Sequence, residues 1–169
     1  DRLAPREVDE HLLIGAGNVA AALPHCYAAV REVSCTRVWS RTPAGSAALV
    51  EQLVSQGIRA EVATDLRDAV RRADVISTAT SATSPLVLAE DVSPGTHVDL
   101  IGAFTPAMVE ADEALVTSAS VFVDVREALH EAGDLTGPIG RGTFRESDVC
   151  ATLADLASGA HLGRSTTAE

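Results

Sequence analysis

The segment His11-Leu12-Leu13-Ile14-Gly15-Ala16-Gly17-Asn18-Val19-Ala20 constrains this chain more than any other. An apolar run of strand length ends in a GxGxxA turn, and the turn opens directly into an Ala-rich helical stretch. In that order the first glycine permits a tight turn, the second lets backbone approach a pyrophosphate, and the small third residue lets helix pack closely on strand. The free amides at the start of the helix favour an anion. A glycine pattern alone marks no more than a turn. With a strand before it, a helix after it and a second apolar strand at residues 36–40, the pattern points to dinucleotide binding.

Around this unit, short β-branched runs alternate with longer amphipathic segments, the signature of a parallel sheet covered by helices. Strands are expected at residues 11–14, 36–40, 59–62, 75–78, 97–101 and 121–124, all six in one doubly wound α/β sheet of Rossmann type. Helices are expected at 18–33, 44–56, 66–72, 107–117, 126–132 and 146–158. Asp65 reads as the N-cap of the third helix, with Arg71 and Arg72 where the helix dipole favours cations. Pro24 removes a hydrogen bond inside the first helix and predicts a bend there. The stretch 133–142, with four glycines and a proline, reads as an exposed loop. Residues 1–158 are thus expected to form one nucleotide-binding domain, and 159–169 a flexible tail.

Charge narrows the chemistry further. All 13 basic residues are Arg, against 24 acidic residues, for a net charge of −11. A chain without Lys has no Schiff-base lysine and no Walker-type phosphate loop. An acidic chain with 3% aromatic residues also lacks the basic groove and stacking platforms of a nucleic-acid binder. Cys26, Cys35 and Cys150 form no CxxC pair and signal no metal site, so three reduced thiols in a reducing cytoplasm are expected. No apolar stretch reaches the ~20 residues of a membrane span, so no membrane partner is expected.

The end of the second strand distinguishes the cofactors. A site for NAD places Asp or Glu there for the ribose hydroxyls, whereas a site for NADP uses Arg for the extra phosphate. Here the residues are Ser40-Arg41-Thr42, without a carboxylate, and a guanidinium flanked by hydroxyls suits a 2′-phosphate. NADP(H) is therefore favoured over NAD(H), the alternative being a solvated Arg at the start of a loop. Thr78-Ala79-Thr80 follow the fourth strand and suit close approach to a ribose or nicotinamide, or form an ordinary Ser/Thr loop. Phe104, in the turn after the fifth strand, either walls off water beside the nicotinamide or is a core aromatic. Among acid–base candidates His97, Asp99 and Asp124 show no partner, and each reads as structural before catalytic.

The segments LLIGAGNVA, VWSRTPA, DLRDAVRRADVISTATSATSPLV, PGTHVDLIGAFTPAMVEADEALV and VFVDVREALHEAGDL together resemble the ornithine cyclodeaminase/μ-crystallin family along nearly the whole chain. The resemblance implies phosphate contacts from Gly15, Ala16, Gly17, Asn18, Val19 and Ala20. It implies 2′-phosphate contacts from Ser40, Arg41 and Thr42, and nicotinamide-side contacts near Thr78, Ala79, Thr80, Ile101 and Phe104. Cyclodeaminases of this family carry a catalytic Asp in a GGDxPG turn after the fifth strand, and Phe104 stands at the matching position. The GAFTPAM version resembles instead the branch of NAD(P)H-dependent reductases of cyclic ketimines.

That branch implies hydride transfer to the imine carbon of pyrroline-2-carboxylate or piperideine-2-carboxylate, giving L-proline or L-pipecolate. A protonated nitrogen would favour the transfer, because an iminium accepts hydride more readily than an imine. The resemblance also implies a homodimeric parent whose second domain, including the cations that grip the substrate carboxylate, is absent from these residues. The 169 residues are then expected to bind cofactor and turn over little substrate. Two other readings stay open: a cyclodeaminase or amino-acid dehydrogenase using NAD, and a non-catalytic μ-crystallin-like NADPH-binding module.

Overall fold

The computed structural model describes residues 2–166. Its centre is a sheet of five parallel strands: β1 (Val8–Ile14), β2 (Val33–Trp39), β3 (Ala60–Val62), β4 (Val75–Thr78) and β6 (His97–Leu100). They stand in the order β3-β2-β1-β4-β6. The chain therefore winds outward from β1 in one direction and then returns to build the other half. Carboxyl ends of β1 and β4 lie side by side at that reversal, where open α/β sheets bind ligands.

Side chains alternate across β1 and divide the core into two layers. Leu12 and Ile14 pack with Val70 and Ala73 around α3 (Leu66–Arg72). Leu13 lies on the other face with Ala20 of α1 (Asn18–Ala28) and with Leu49 and Leu53 of α2 (Pro43–Ser55). As the sequence predicts, α3 spans 66–72, and the Asp65 side chain caps it by accepting from the Asp68 amide at 2.9 Å.

His11 shares the α1 face and is fully buried. Its Nε2 lies 3.0 Å from Ser77 Oγ, while that hydroxyl donates to Asp99 Oδ2 at 3.1 Å. With its proton directed at Asp99, Ser77 accepts from His11 Nε2–H, which assigns a neutral imidazole whose Nδ1 has no partner. Tyr27 of α1 also donates to Asp99 Oδ2, and His97 Nε2 meets Asp99 Oδ1 at 2.7 Å. His97 and Asp99, without visible partners in the sequence, therefore partner each other. Asp124 is exposed and accepts from the Val125 amide. Burial pushes the Asp99 carboxyl up, but its bonds from His97, Tyr27 and Ser77 outweigh this and hold it below its ordinary value. Burial pushes the Tyr27 hydroxyl up, and the adjacent Asp99 adds to that.

Beyond β4 the structure departs from several expectations. Residues 121–124 do not join the main sheet as its sixth strand. Instead β8 (Val121–Val123) pairs with β9 (Val149–Thr152), over a separate core of Val116, Leu129, Leu135 and Phe144. The expected helix at 107–117 is divided into β7 (Val109–Ala111), paired with β5 (Thr83–Val87), and a short α4 (Glu113–Ser118) capped by Asp112. Likewise 146–158 becomes a 3-10 turn, then β9, then α7 (Leu153–Ser158) with a Thr152–Asp155 capping box. Near residue 130 only α5 (Ala128–Glu131) is helical. The first helix stops at Ala28, because Val33 is drawn into the sheet opposite Val8, and it runs through Pro24.

Residues 133–142 are not a loop. They form α6 (Gly133–Arg141), which buries Leu135 and Pro138 and ends on Gly142 in the left-handed conformation. Gly133 serves close packing, since a Cβ there would lie 2.0 Å from the Met108 carbonyl oxygen. The expected flexible tail is anchored where described: the Arg164 amide donates to Arg2 O at 3.1 Å and its Nε to Leu3 O at 2.6 Å. Residues 167–169 of that tail lie outside the described residues. No helix among the described residues is long and apolar enough to cross a membrane.

His11 gives the fold a pH dependence. Burial lowers its pKa from 6.5 to about 4. Stability from this group is complete above pH 6.5 and falls as pH drops toward 4, because the unfolded imidazole takes up a proton that the folded one refuses. The expected loss across that window is about 3 kcal/mol. Urea midpoints of wild type and His11→Gln between pH 7.5 and 4.5 should converge at low pH; parallel curves would remove His11 as the cause.

Candidate functional site

Gly15 occupies the point where the sheet reverses. Its φ is +121°, a conformation that L side chains rarely adopt. Its amide donates to the Trp39 carbonyl at 2.8 Å, tying β1 to the end of β2. On its other side a Cβ would lie 2.5 Å from the Ala79 carbonyl oxygen, just after β4. One residue thus touches both neighbouring strand ends, and only a hydrogen fits in place of a side chain.

Gly17 differs. Its φ is −90°, and a Cβ there would meet nothing within 4 Å. It is the N-cap of α1 and offers no side-chain cap to the first-turn amides. The first-turn amides therefore have no side-chain cap at the positive end of the helix, which fits an anion. Asn18 and Val19 are exposed on this turn, Ala16 is half-buried, and Ala20 is fully buried beneath it. Ala20 provides the close helix–strand contact and presents no side chain to the crevice.

At the β2 end, Ser40 Oγ donates to the Thr42 carbonyl and lies 2.8 Å from Ser46 Oγ, so this hydroxyl braces the turn into α2. Gly45 brings the two turns together: a Cβ on it would lie 3.2 Å from Ser40 Oγ and 3.5 Å from the Ala16 methyl. Arg41 and Thr42 are exposed. Arg41 makes no hydrogen bond or ion pair among the described residues, unlike Arg37, which bonds Glu61 at 2.9 Å, and Arg67, which bonds Asp91 at 2.6 Å. An unpaired guanidinium beside an open glycine turn fits a phosphate group.

The β4 and β6 ends form the other half of the edge. The Ile101 amide donates to the Thr78 carbonyl at 3.0 Å, and Ile101 and Phe104 are exposed, Phe104 by 69%. Phe104 is therefore not a core aromatic. Ala79 and Thr80 are half-buried, whereas Thr78 is fully buried with its hydroxyl turned inward. Thr78 shapes the turn without facing the crevice.

Its partner is Glu110, which lies within the segment expected to be helical at 107–117 and is not among the expected site residues. On β7 it is fully buried. Glu110 Oε2 accepts from Thr78 Oγ1 and from the Gly102 amide, both at 2.7 Å. Its Oε1 accepts from the Thr80 amide at 2.8 Å and from Thr80 Oγ1 at 2.7 Å. The one signal in the sequence was a lone Glu between Val109 and Ala111. Behind it, Asp134 Oδ1 accepts the amides of Glu110 and Ala111 at 2.8 and 3.0 Å. Burial pushes the Asp134 carboxyl above its ordinary value, and the nearby Glu110 adds to this against the two amides.

The expected site residues therefore lie along one carboxyl edge, in two halves that meet at Gly15, except that the side chains of Ala20 and Thr78 are buried beneath it. The family model for the ornithine cyclodeaminase/mu-crystallin family matches residues 2–169. The chain belongs to that family. It is 46% identical over 159 residues to a Delta(1)-pyrroline-2-carboxylate reductase of Paracoccus denitrificans, covering 91% of this chain and 50% of that protein. Among solved structures it is similar to the Thermococcus litoralis Delta(1)-pyrroline-2-carboxylate reductase in complex with NADH and L-proline. That match has a TM-score of 0.95 at 27% identity, over 99% of this chain and 53% of the other. The iminosuccinate reductase of Paracoccus denitrificans in complex with NAD+ gives a TM-score of 0.90 at 29% identity, over 99% of this chain and 51% of the other. The chain thus spans about half the length of these relatives.

The two glycines should separate strain from access. Gly15→Ala is expected to cost about 2–4 kcal/mol, through backbone strain and the clash with Ala79. Gly17→Ala should stay within about 1 kcal/mol of wild type. Chemical denaturation of both variants checks this, and equal losses would refute the separation.

Proposed function

We propose that this chain is the NADP(H)-binding half of a cytoplasmic, homodimeric reductase that acts on cyclic α-imino acids, converting pyrroline-2-carboxylate to L-proline or piperideine-2-carboxylate to L-pipecolate. The observation that carries the cofactor reading is Arg41: an exposed guanidinium without a partner among the described residues, at the strand end where a carboxylate would select the unphosphorylated ribose. The similarity to pyrroline-2-carboxylate reductases supports the substrate class. Phe104, at the position where cyclodeaminases of the family carry their catalytic Asp, supports reduction over ornithine cyclisation.

In this reading the open amides of α1 hold the diphosphate, and Arg41, with Thr42, holds the 2′-phosphate. The turn Ala79-Thr80 and the exposed Ile101 and Phe104 border the nicotinamide side, where their apolar surface excludes water. The bound cofactor supplies a hydride. The chain itself contributes the shape that aims it, while the groups that grip the substrate carboxylate belong to the remainder of the full-length protein.

Calorimetric titration of the chain should give tighter binding of NADPH than of NADH. Arg41→Ala should weaken NADPH by about tenfold or more and leave NADH nearly unchanged, as expected for loss of a charge-assisted bond. Equal binding of the two cofactors by wild type would discard the Arg41 assignment. With the full-length protein, NADPH should be consumed in the presence of pyrroline-2-carboxylate or piperideine-2-carboxylate, without ammonia release from ornithine. Ammonia release would establish a cyclodeaminase, and NADPH oxidation insensitive to all three compounds a non-catalytic binding protein.

A further inference from the structure

Glu110 is the most completely enclosed carboxylate in the site region, and no Arg or His side chain is bonded to it among the described residues. Burying such a group is costly unless its lone pairs are taken. Here four bonds from three residues take them, two on each oxygen. The three residues do not belong to one element. Thr78 and Thr80 flank the end of β4, and Gly102 follows β6. The carboxylate is therefore a bridge between the two turns that border the nicotinamide side of the crevice.

The fit around the bridge is close. A Cβ on Gly102 would lie 2.1 Å from the Thr80 carbonyl oxygen and 2.5 Å from Glu110 Oε1, so the turns meet with a glycine between them and the carboxylate against it. The bonds also fix the polarity of Thr80: its Oγ1 accepts from the Ala82 amide at 3.1 Å and donates to Glu110. Glu110 itself is held from behind, since Asp134 at the start of α6 takes the amides on either side of its Cα peptide units. A chain of support runs from α6 through β7 to both turns. The β1–α1 turn with its phosphate-facing amides is not bonded to Glu110.

We propose that Glu110 is a positioning residue for the nicotinamide half of the bound cofactor, setting the separation of the Thr78–Thr80 and Gly102–Phe104 turns without touching the cofactor itself. This rests on the nucleotide-binding reading of the same edge. Losing the carboxylate should loosen the nicotinamide side and spare the adenosine side, which depends on Gly15, Gly17 and Arg41.

The test compares ligands with and without the nicotinamide by calorimetry on the chain: NADPH against adenosine 2′,5′-bisphosphate, and NADH against ADP. In Glu110→Gln, where an amide N–H2 faces donors, affinity for the dinucleotide should fall about tenfold while the matching adenosine ligand binds as in wild type. Thr80→Val, which removes one donor and leaves the carboxylate in place, should shift the same ratio in the same direction by a smaller factor, and serves alone if Glu110→Gln does not fold. Glu110→Asp should recover part of the loss only if the bridge can close over a shorter side chain, so its ratio should fall between wild type and Gln.

Unchanged dinucleotide binding in both Glu110→Gln and Thr80→Val would overturn the proposal, as would an equal loss of dinucleotide and adenosine ligand, which marks a merely structural residue. If wild type binds NADH and ADP better than their phosphorylated counterparts, the Arg41 reading fails and the Glu110 comparison is made on that pair. If wild type binds none of the four, the nucleotide reading fails and this proposal with it.

Discussion

The arrangement depends on the space that Gly15 leaves empty. A hydrogen at that position lets the β4 end approach the β1 end to within a distance that a methyl group would forbid, while the Gly15 amide holds the β2 end from the other side. Three strand ends are thereby fixed around one residue at the reversal of strand order. Every other feature of the edge is placed relative to it. Gly17 opens α1 toward the crevice, Arg41 flanks it from β2, and the Ala79–Thr80 turn closes the far side.

Two polar systems then hold the remaining pieces, one on each face of the sheet, the Asp99 group half-buried and Glu110 fully buried. On the α1 face, Asp99 gathers Tyr27, Ser77 and His97 and through Ser77 reaches His11. On the other side, Glu110 joins the β4 and β6 turns. Buried polar groups of this kind are costly when incompletely bonded and restrictive when satisfied, because each bond admits few geometries. They specify where helices and turns sit more narrowly than apolar packing alone. Leaving His11 Nδ1 and Asp134 Oδ2 without partners shows where that satisfaction stops.

Much of this was legible from local chemistry. The strand–turn–helix at residues 11–20 needs particular residue types at particular spacings, and the Asp65 cap with Arg71 and Arg72 at the far end marks α3 to the residue. The five main strands were visible as apolar runs. The second half is less legible. Val109–Ala111 lies in a segment whose apolar spacing also suits a helix, and β5, an edge of mostly exposed residues, gave no sign of the partner that makes it a strand. At 133–142 the glycines and proline argue for a loop by propensity. Burial of Leu135 and Pro138, and Asp134 bonding the β7 amides, override that preference.

The sequence by itself therefore determined the doubly wound core and the glycine turn at its carboxyl edge, because those depend on backbone conformation and on contacts between residues close along the chain. It also determined that Arg, and not a carboxylate, follows the second strand. Tertiary structure alone decided that residues 121–123 pair with 149–152 outside the main sheet, that Arg41 stands without a partner among the described residues, and that Glu110 bridges two turns. Those outcomes depend on which groups meet across long separations, and no local periodicity encodes which donors a buried carboxylate will find.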